Sequence, residues 1–276
     1  MAEAAALLAD RGEESRIIAG GTSVVLMLGQ KLIAPKVLIS LGRIPGYDAI
    51  EPKADGLHIG SLTRLRTIER SEAVQEFCPA LARAFGVVGN VRVRHQATIG
   101  GNLAAADYAA DPPAMLMALD ARIQITGPNG ERIVPISDFF LGFYTTILDP
   151  TEIITQIIIP SLPASARAAY FKFTSVTAEG RPCVAVGAVA NFDPEGRCLG
   201  LKIAVGAAVE TPQRVRNAEA LAVSQMLTDE LVSAIAQEYA ETLDPLSDFR
   251  GSVWYRREMI GVFVKRALLE IRDGHR

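Results

Sequence analysis

Cysteine, histidine and tryptophan are scarce: 276 residues contain three, three and one of them. The cysteines, Cys78, Cys183 and Cys198, are scattered along the chain. They form no disulfide framework and fit a reducing cytoplasm. A [2Fe–2S] cluster normally takes four cysteine thiolates, so this chain has too few to hold one. His58 and His95 are isolated from any second candidate ligand, and surface or core roles are expected of both rather than metal binding or base chemistry. No catalytic triad and no protein nucleophile stand out. Neither sign of charge dominates, with 28 Lys and Arg against 31 Asp and Glu. That balance removes the electrostatic footprint of a nucleic-acid surface. No apolar run approaches the roughly 20 residues of a membrane span. Met1 to Arg11 carries Glu3 and Asp10 and reads as a helix, not a signal peptide. Internal repeats and low-complexity segments are also missing.

What the chain does have is apolar mass and paired glycines. Hydrophobic residues make up 49% of it, enough for one large domain or two modest ones with a sizeable core. Arg16-Ile17-Ile18-Ala19 reads as a short strand running into Gly20-Gly21-Thr22-Ser23. A second segment of the same design, Thr98-Ile99-Gly100-Gly101-Asn102, follows the alternating run Val91–Arg94. Paired glycines let a backbone approach another group closely, and peptide N–H groups freed by such a turn can point at an anion. One Gly-Gly pair is often only a tight turn. Two such loops with hydroxyls and an amide at their rims can clasp a diphosphate from two sides. A dinucleotide fold of the Gly-x-Gly-x-x-Gly type is not indicated, because no such pattern follows the first strand.

Ile17-Ile18-Ala19-Gly20-Gly21-Thr22-Ser23 and Thr98-Ile99-Gly100-Gly101-Asn102 resemble the FAD-binding subunits of molybdenum hydroxylases, the family of xanthine dehydrogenase and aerobic carbon monoxide dehydrogenase medium subunits. The resemblance continues through Asp111-Pro112-Pro113-Ala114, Gly127–Arg132, Asp138–Phe140, Glu152–Ile154, Tyr170-Phe171-Lys172, Asp248–Ser252 and Tyr255–Arg257. It implies an α+β protein with the two-part FAD fold of the vanillyl-alcohol oxidase and p-cresol methylhydroxylase class. A C-terminal α+β domain of the carbon monoxide dehydrogenase flavoprotein type would follow. The expected domains are 1–162, split near 55, and 166–273. Family members begin earlier, with an aromatic and proline-containing strand, which leaves the start of this chain open. The branch that carries an extra iron–sulfur cluster in this subunit, the 4-hydroxybenzoyl-CoA reductases, is disfavoured by the cysteine count.

Local signals agree with that division. Lys36–Leu41 reads as a buried strand after a helix over Ser23–Leu32, and Gly56–Gly60 as another strand. Ser61 is a candidate N-cap for a broken helical stretch reaching Phe85, with Pro79 in the first turn of its last helix. Pro112–Leu119 reads as an apolar helix. Ala121–Thr126 and Glu131–Pro135 form a hairpin about Gly127–Gly130, and Glu152–Ile159 is a strand closed by Pro160. Ser161–Ser165 looks like a boundary. Beyond it, strands over 168–176, 182–192 and 198–209 precede helices over 216–225, 228–242 and 252–272. In the last helix Met259, Phe263, Ala267 and Ile271 make a core stripe.

By resemblance, Ala19, Gly20, Gly21, Thr22 and Ser23 hold the diphosphate and ribityl part of FAD, and Thr98, Ile99, Gly100, Gly101 and Asn102 complete the clamp, with Ile99 against the isoalloxazine. Asp111 matches an aspartate contacting FAD; its plain alternative, an N-cap before Pro112-Pro113, is compatible with that role. Lys172 matches a lysine near the flavin, where an ammonium would balance negative charge; its plain alternative is a solvated strand lysine. Ile154 matches an apolar position at the ring, or is ordinary strand core. Arg250, Arg256 and Arg257 are expected on a solvated face, with an interface as the other option. The expected partners are an iron–sulfur small subunit and a molybdopterin large subunit, in a dimer of heterotrimers. Electrons would pass from [2Fe–2S] clusters through FAD to NAD⁺, oxygen or a quinone-linked acceptor. A stand-alone FAD oxidoreductase and a flavin-binding module without redox partners are the rival readings.

Overall fold

The computed structural model describes residues 1–177 and 179–274. The chain opens with α1 (Ala2–Arg11), β1 (Ser15–Ile18), α2 (Val24–Gly29) and β2 (Val37–Ser40). The two strands pair in parallel, with Ser15 opposite Val37. Ala4, Ala5 and Leu8 of α1 form a small core with Ile39 and Leu41. The expectation of a buried strand here needs correction: only Ile39 of β2 is buried, and Val37 and Leu38 are exposed. α2 is shorter than its apolar run suggests, and none of its residues is buried.

The next part is a five-stranded sheet wrapped by short helices. In chain order it comprises β3 (Ile50–Lys53), β4 (Gly56–Gly60), α3 (Leu65–Arg70), α4 (Glu72–Phe77), α5 (Pro79–Gly86), α6 (Val91–Gln96), α7 (Ile99–Ala104), α8 (Pro112–Ala118), β5 (Arg122–Gly127), β6 (Gly130–Pro135), the small hairpin β7 (Phe140–Gly142) and β8 (Thr145–Thr146), and β9 (Ile153–Pro160). The strand order is β3-β4-β9-β5-β6, antiparallel throughout. β9 lies at the centre, and its isoleucines Ile153, Ile154, Ile157, Ile158 and Ile159 are all buried. A near-continuous apolar run fits a central strand covered on both faces. Ser61 is not an N-cap: α3 starts only at Leu65, after Arg64. The alternation at Val91–Arg94 belongs to a helix, because the Asn90 side chain accepts the Val93 N–H at 3.1 Å and caps the turn.

The C-terminal part is a three-stranded antiparallel sheet of β10 (Arg167–Phe173), β11 (Val184–Phe192) and β12 (Cys198–Gly206), in that order. Its helices are α9 (Arg216–Ala220), α10 (Asp229–Thr242) and α11 (Val253–Asp273). Phe263, Ala267 and Ile271 of α11 are buried against the sheet, while Met259 is partly buried. The other side of the sheet receives α8. A Cβ on Gly187 would lie 2.6 Å from Met115 Cα and 2.7 Å from the Ala114 carbonyl, so only glycine permits this approach. The contact joins the two halves and brings the start of α8 to β10.

Arg250 and Arg256 are not on a solvated face. Arg256 is fully buried and donates to the Cys183 carbonyl at 2.7 Å, the Ala207 carbonyl at 2.6 Å and Asp248 at 2.6 Å. Arg250 is also buried and pairs with Asp248. Unpaired carbonyls at strand ends require donors, and a guanidinium supplies several at once. Tyr108 donates to the same aspartate at 3.0 Å, tying the network to the preceding part of the chain. Burial pushes the Asp248 carboxyl up, but the Arg250 N–H, Arg256 and Tyr108 outweigh it and hold it at about 2. Arg257 lies half-buried beside them.

Candidate functional site

The first glycine segment meets the approach to the second. A Cβ on Gly20 would sit 2.1 Å from the Gln96 carbonyl oxygen and 2.9 Å from Ala97 Cα. The backbone of the first segment therefore rests directly on the residues leading into the second. Gly21 has φ +77, a left-handed conformation that turns the chain from β1 into α2. The N–H groups of Gly20, Gly21, Thr22 and Ser23 find no backbone acceptor among the described residues. Thr22 and Ser23 are exposed. This segment is an open run of peptide donors with hydroxyls beside it.

The second segment is built differently. It is the first turn of α7, and its donors from Ile99 onward are already committed. Ile99 N–H donates to the Thr63 carbonyl at 3.1 Å and Gly100 N–H to the Ser61 carbonyl at 2.8 Å. Gly101 N–H goes to the Thr98 hydroxyl at 3.2 Å, and Asn102 N–H to the Thr98 carbonyl at 2.9 Å. A Cβ on Gly100 would lie 2.7 Å from Ser61 Cβ, so this glycine is a close-packing position. The idea of two loops offering equal runs of free N–H groups is thus corrected: Gly20 to Ser23 form such a run, whereas the N–H groups of Ile99 to Asn102 are all committed. Ile99 is fully buried in the core, with no side-chain surface left for a ring to lie on. Gly101 is exposed, and Asn102 stands beside it with its Oδ1 buried and unpaired. Ser61 Oγ is likewise buried without a partner. A flavin with its ribityl chain carries N–H and hydroxyl donors suited to such oxygens, and its diphosphate suits the open donors of the first segment. The residues present fit that cofactor.

Asp111, Tyr170 and Lys172 form a third element. Asp111 occupies the N-cap position of α8, but its side chain caps nothing. One carboxylate oxygen accepts from the Tyr170 hydroxyl at 3.2 Å, the other from Lys172 at 3.1 Å. Lys172 also donates to the Val87 carbonyl at 2.7 Å and its side chain is only 6% exposed, so the solvated alternative fails. Burial raises the Asp111 carboxyl to about 7 against the opposing charge and hydrogen bonds of Lys172 and Tyr170. A carboxylate balanced near neutrality beside a fixed ammonium is a group whose protonation responds to nearby charge.

Ile154 is buried in β9 opposite Ile125, in the sheet against which α7 packs. His58 is a core residue bonded to Gln156 and Asp55 at 2.9 Å each, and His95 is exposed. Among the described residues no group of His, Cys, Asp and Glu is placed to hold a metal ion. Sequence reasoning passed over Arg64, whose guanidinium grips the Gln96 carbonyl at the crossing of the two segments, and the pairing of Tyr170 with Asp111. A signal for the latter existed: Tyr170 and Lys172 are two apart and share one face of a strand.

Fold and cradle together define a flavin-binding protein. Residues 1–162 match the family described as the FAD binding domain in molybdopterin dehydrogenase, and residues 169–271 match the CO dehydrogenase flavoprotein C-terminal domain. The chain belongs to this family of FAD-binding medium subunits. It is 32% identical to the carbon monoxide dehydrogenase medium chain of Hydrogenophaga pseudoflava, over 96% of this chain and 92% of that one. It is also 32% identical to subunit alpha of the 6-hydroxypseudooxynicotine dehydrogenase complex of Paenarthrobacter nicotinovorans, over 95% and 88%. Among solved structures, carbon monoxide dehydrogenase from Hydrogenophaga pseudoflava superposes with a TM-score of 0.93 at 33% identity, covering 98% of this chain and 93% of that one. Among the described residues, no helix is long and apolar enough to cross a membrane.

Proposed function

We propose that this chain holds one FAD non-covalently and works as the electron-relay subunit of a three-subunit molybdenum hydroxylase. A large molybdopterin subunit would oxidise the substrate, and a small subunit with [2Fe–2S] clusters would deliver the electrons. FAD, when bound, supplies the redox chemistry that accepts those electrons and releases them to NAD⁺, oxygen or a quinone-linked acceptor. The observation that carries the reading is the crossing of the two glycine segments at Gln96–Ala97 with open donors at Gly20–Ser23.

The chain's own groups divide the work of binding. Ala19, Gly20, Gly21, Thr22 and Ser23 face the diphosphate with peptide N–H groups and two hydroxyls. Thr98, Ile99 and Gly100 form the rigid floor that fixes the first segment's position, while Gly101 and Asn102 contribute the exposed edge of that floor. Asp111 holds the Lys172 ammonium in place beside the flavin rather than acting alone, and Ile154 lends apolar support below α7. We assign 1–162, divided near 55, to the flavin-binding domain and 166–273 to the C-terminal domain. The complex would be a cytoplasmic dimer of heterotrimers.

Anaerobic titration tests the reading. In the purified complex, the complex's own substrate is expected to bleach the flavin absorbance, and heat denaturation is expected to release one FAD per chain. The isolated, flavin-loaded chain is expected not to respond to that substrate. Equal bleaching of the isolated chain would make it a stand-alone oxidoreductase, and failure to bind FAD after reconstitution would remove the flavin reading altogether.

A further inference from the structure

Arg64 stands where the two glycine segments cross. Its backbone forms an antiparallel bridge with Thr98, flanked by the Leu65 N–H to Ala97 carbonyl bond at 3.0 Å and the Ile99 N–H to Thr63 carbonyl bond at 3.1 Å. Its side chain turns back and donates through Nη1 to the Gln96 carbonyl. That is the carbonyl whose oxygen would lie 2.1 Å from a Cβ on Gly20. One oxygen thus has both the guanidinium and the Gly20 backbone close to it. Arg64 has no carboxylate partner among the described residues. The neighbouring arginines differ: Arg66 and Arg94 both pair with Glu69.

Resting on the flavin reading above, we infer that Arg64 is a positioning residue for the cofactor's diphosphate. One N–H fixes the Gln96 carbonyl and so the seat of Gly20. The remaining donors and the uncompensated positive charge lie beside the first segment, whose peptide N–H groups have no backbone acceptors. A guanidinium is suited to this double task, because its fork can hold a carbonyl and present further N–H groups to an oxyanion at once. The crossing then does more than bring two loops together. It imports a cation into a cradle whose segments, Ala19–Ser23 and Thr98–Asn102, contain no charged residue of their own.

The test is FAD binding to the apo chain, read by quenching of flavin fluorescence at low and at high salt, for the parent, Arg64→Met and Arg64→Lys. Methionine keeps the apolar stem and removes the charge. At low salt Arg64→Met is expected to weaken FAD binding about tenfold, which is about 1.4 kcal/mol. The gap from the parent is expected to narrow at high salt, where the charge is screened. Arg64→Lys should restore part of the affinity together with the salt dependence. Parent-like affinity in Arg64→Met would overturn the assignment. So would a loss that is the same at both salt concentrations and not restored by lysine, since that is the mark of a merely structural role. If the parent itself binds no FAD, the flavin reading fails instead, and the two failures are distinct.

Discussion

Ala19–Ser23 and Thr98–Asn102 carry the same Gly-Gly signature and have opposite structures. The first is open: its N–H groups lack backbone acceptors, Thr22 and Ser23 are exposed, and Gly21 takes the left-handed conformation. The second is closed: each N–H from Ile99 to Asn102 is committed, and Thr98, Ile99 and Gly100 are buried. Glycine serves conformational freedom at Gly21 and close packing at Gly100. A shared motif therefore does not imply a shared role. One segment leaves its peptide donors open, and the other packs into the core behind Gln96 and Ala97, on which Gly20 rests.

The largest effect is expected from pressing on the closed segment. Gly100→Leu would drive a side chain into Ser61, whose Cβ and carbonyl oxygen lie 2.7 and 2.9 Å from the new Cβ. Overpacking of this kind costs about 1–3 kcal/mol, and loss of the Gly100–Ser61 hydrogen bond adds about 1 kcal/mol more. Urea unfolding of the apo chain should show that loss directly. The neighbouring Gly101→Asp would bring a Cβ within 2.9 Å of the Thr98 hydroxyl alone, a side-chain end that must turn aside. Its cost to apo stability should stay near the roughly 1 kcal/mol of a weakened cap, while FAD affinity falls at least about tenfold through charge repulsion. Reversal of the two, with Gly101→Asp unfolding the chain and Gly100→Leu tolerated, would break the open-and-closed distinction.

Lys172 offers an intermediate effect, controlled by pH. The Asp111 carboxyl is raised from 3.8 to about 7 in the folded chain. The folded state then holds the proton more tightly than the unfolded one. Its contribution to stability is full below the unfolded value and is lost as pH rises towards 7. Lys172→Met removes the charge that opposes burial, so the carboxyl rises further and the loss extends to higher pH. The variant should differ little from the parent at pH 5 and be weaker by about 2–3 kcal/mol at pH 9. Denaturant midpoints across that range measure it. A penalty independent of pH would mean that Asp111 is not the group Lys172 balances.

These distinctions explain how far the sequence could be read. Strands and helices with a strong period or a sharp boundary were legible: Gly56–Gly60, the hairpin about Gly127–Gly130, the three C-terminal strands and the stripe on α11. β3 was not, because Ile50-Glu51-Pro52-Lys53 is short and mostly exposed and carries a proline. Burial of β2 was overestimated, since an apolar run does not reveal that only one face is covered. In the site, the glycine segments were found by their residues, but which donors remain open depends on the local Thr98 cap and on the Ser61 and Thr63 carbonyls, brought in by long-range pairing. The buried arginines were missed for the same reason: Arg256 serves carbonyls at Cys183 and Ala207, far away in sequence.

The smallest pH-dependent effect asks where the site ends. Asp248 binds Arg250, Arg256 and Tyr108, and Tyr108 lies between Asn102 and Asp111 in the chain. The network therefore reaches the stretch of chain that joins the closed segment to Asp111. Asp248 is held at about 2 against an ordinary 3.8. A carboxyl lowered in this way stabilises the fold above the unfolded value, and the gain is lost as pH falls through the folded one. The window is thus about pH 4 to 2. The full shift would correspond to about 2 kcal/mol, and screening by solvent at a partly open group reduces it to about 1 kcal/mol. Asp248→Asn should flatten the acid limb of the stability curve in that window and leave FAD affinity at neutral pH unchanged. An affinity that drops with the acid limb would place Tyr108 and its aspartate among the residues that seat the cofactor. The boundary of the site would then move outward, from the glycine crossing to the seam between the two domains.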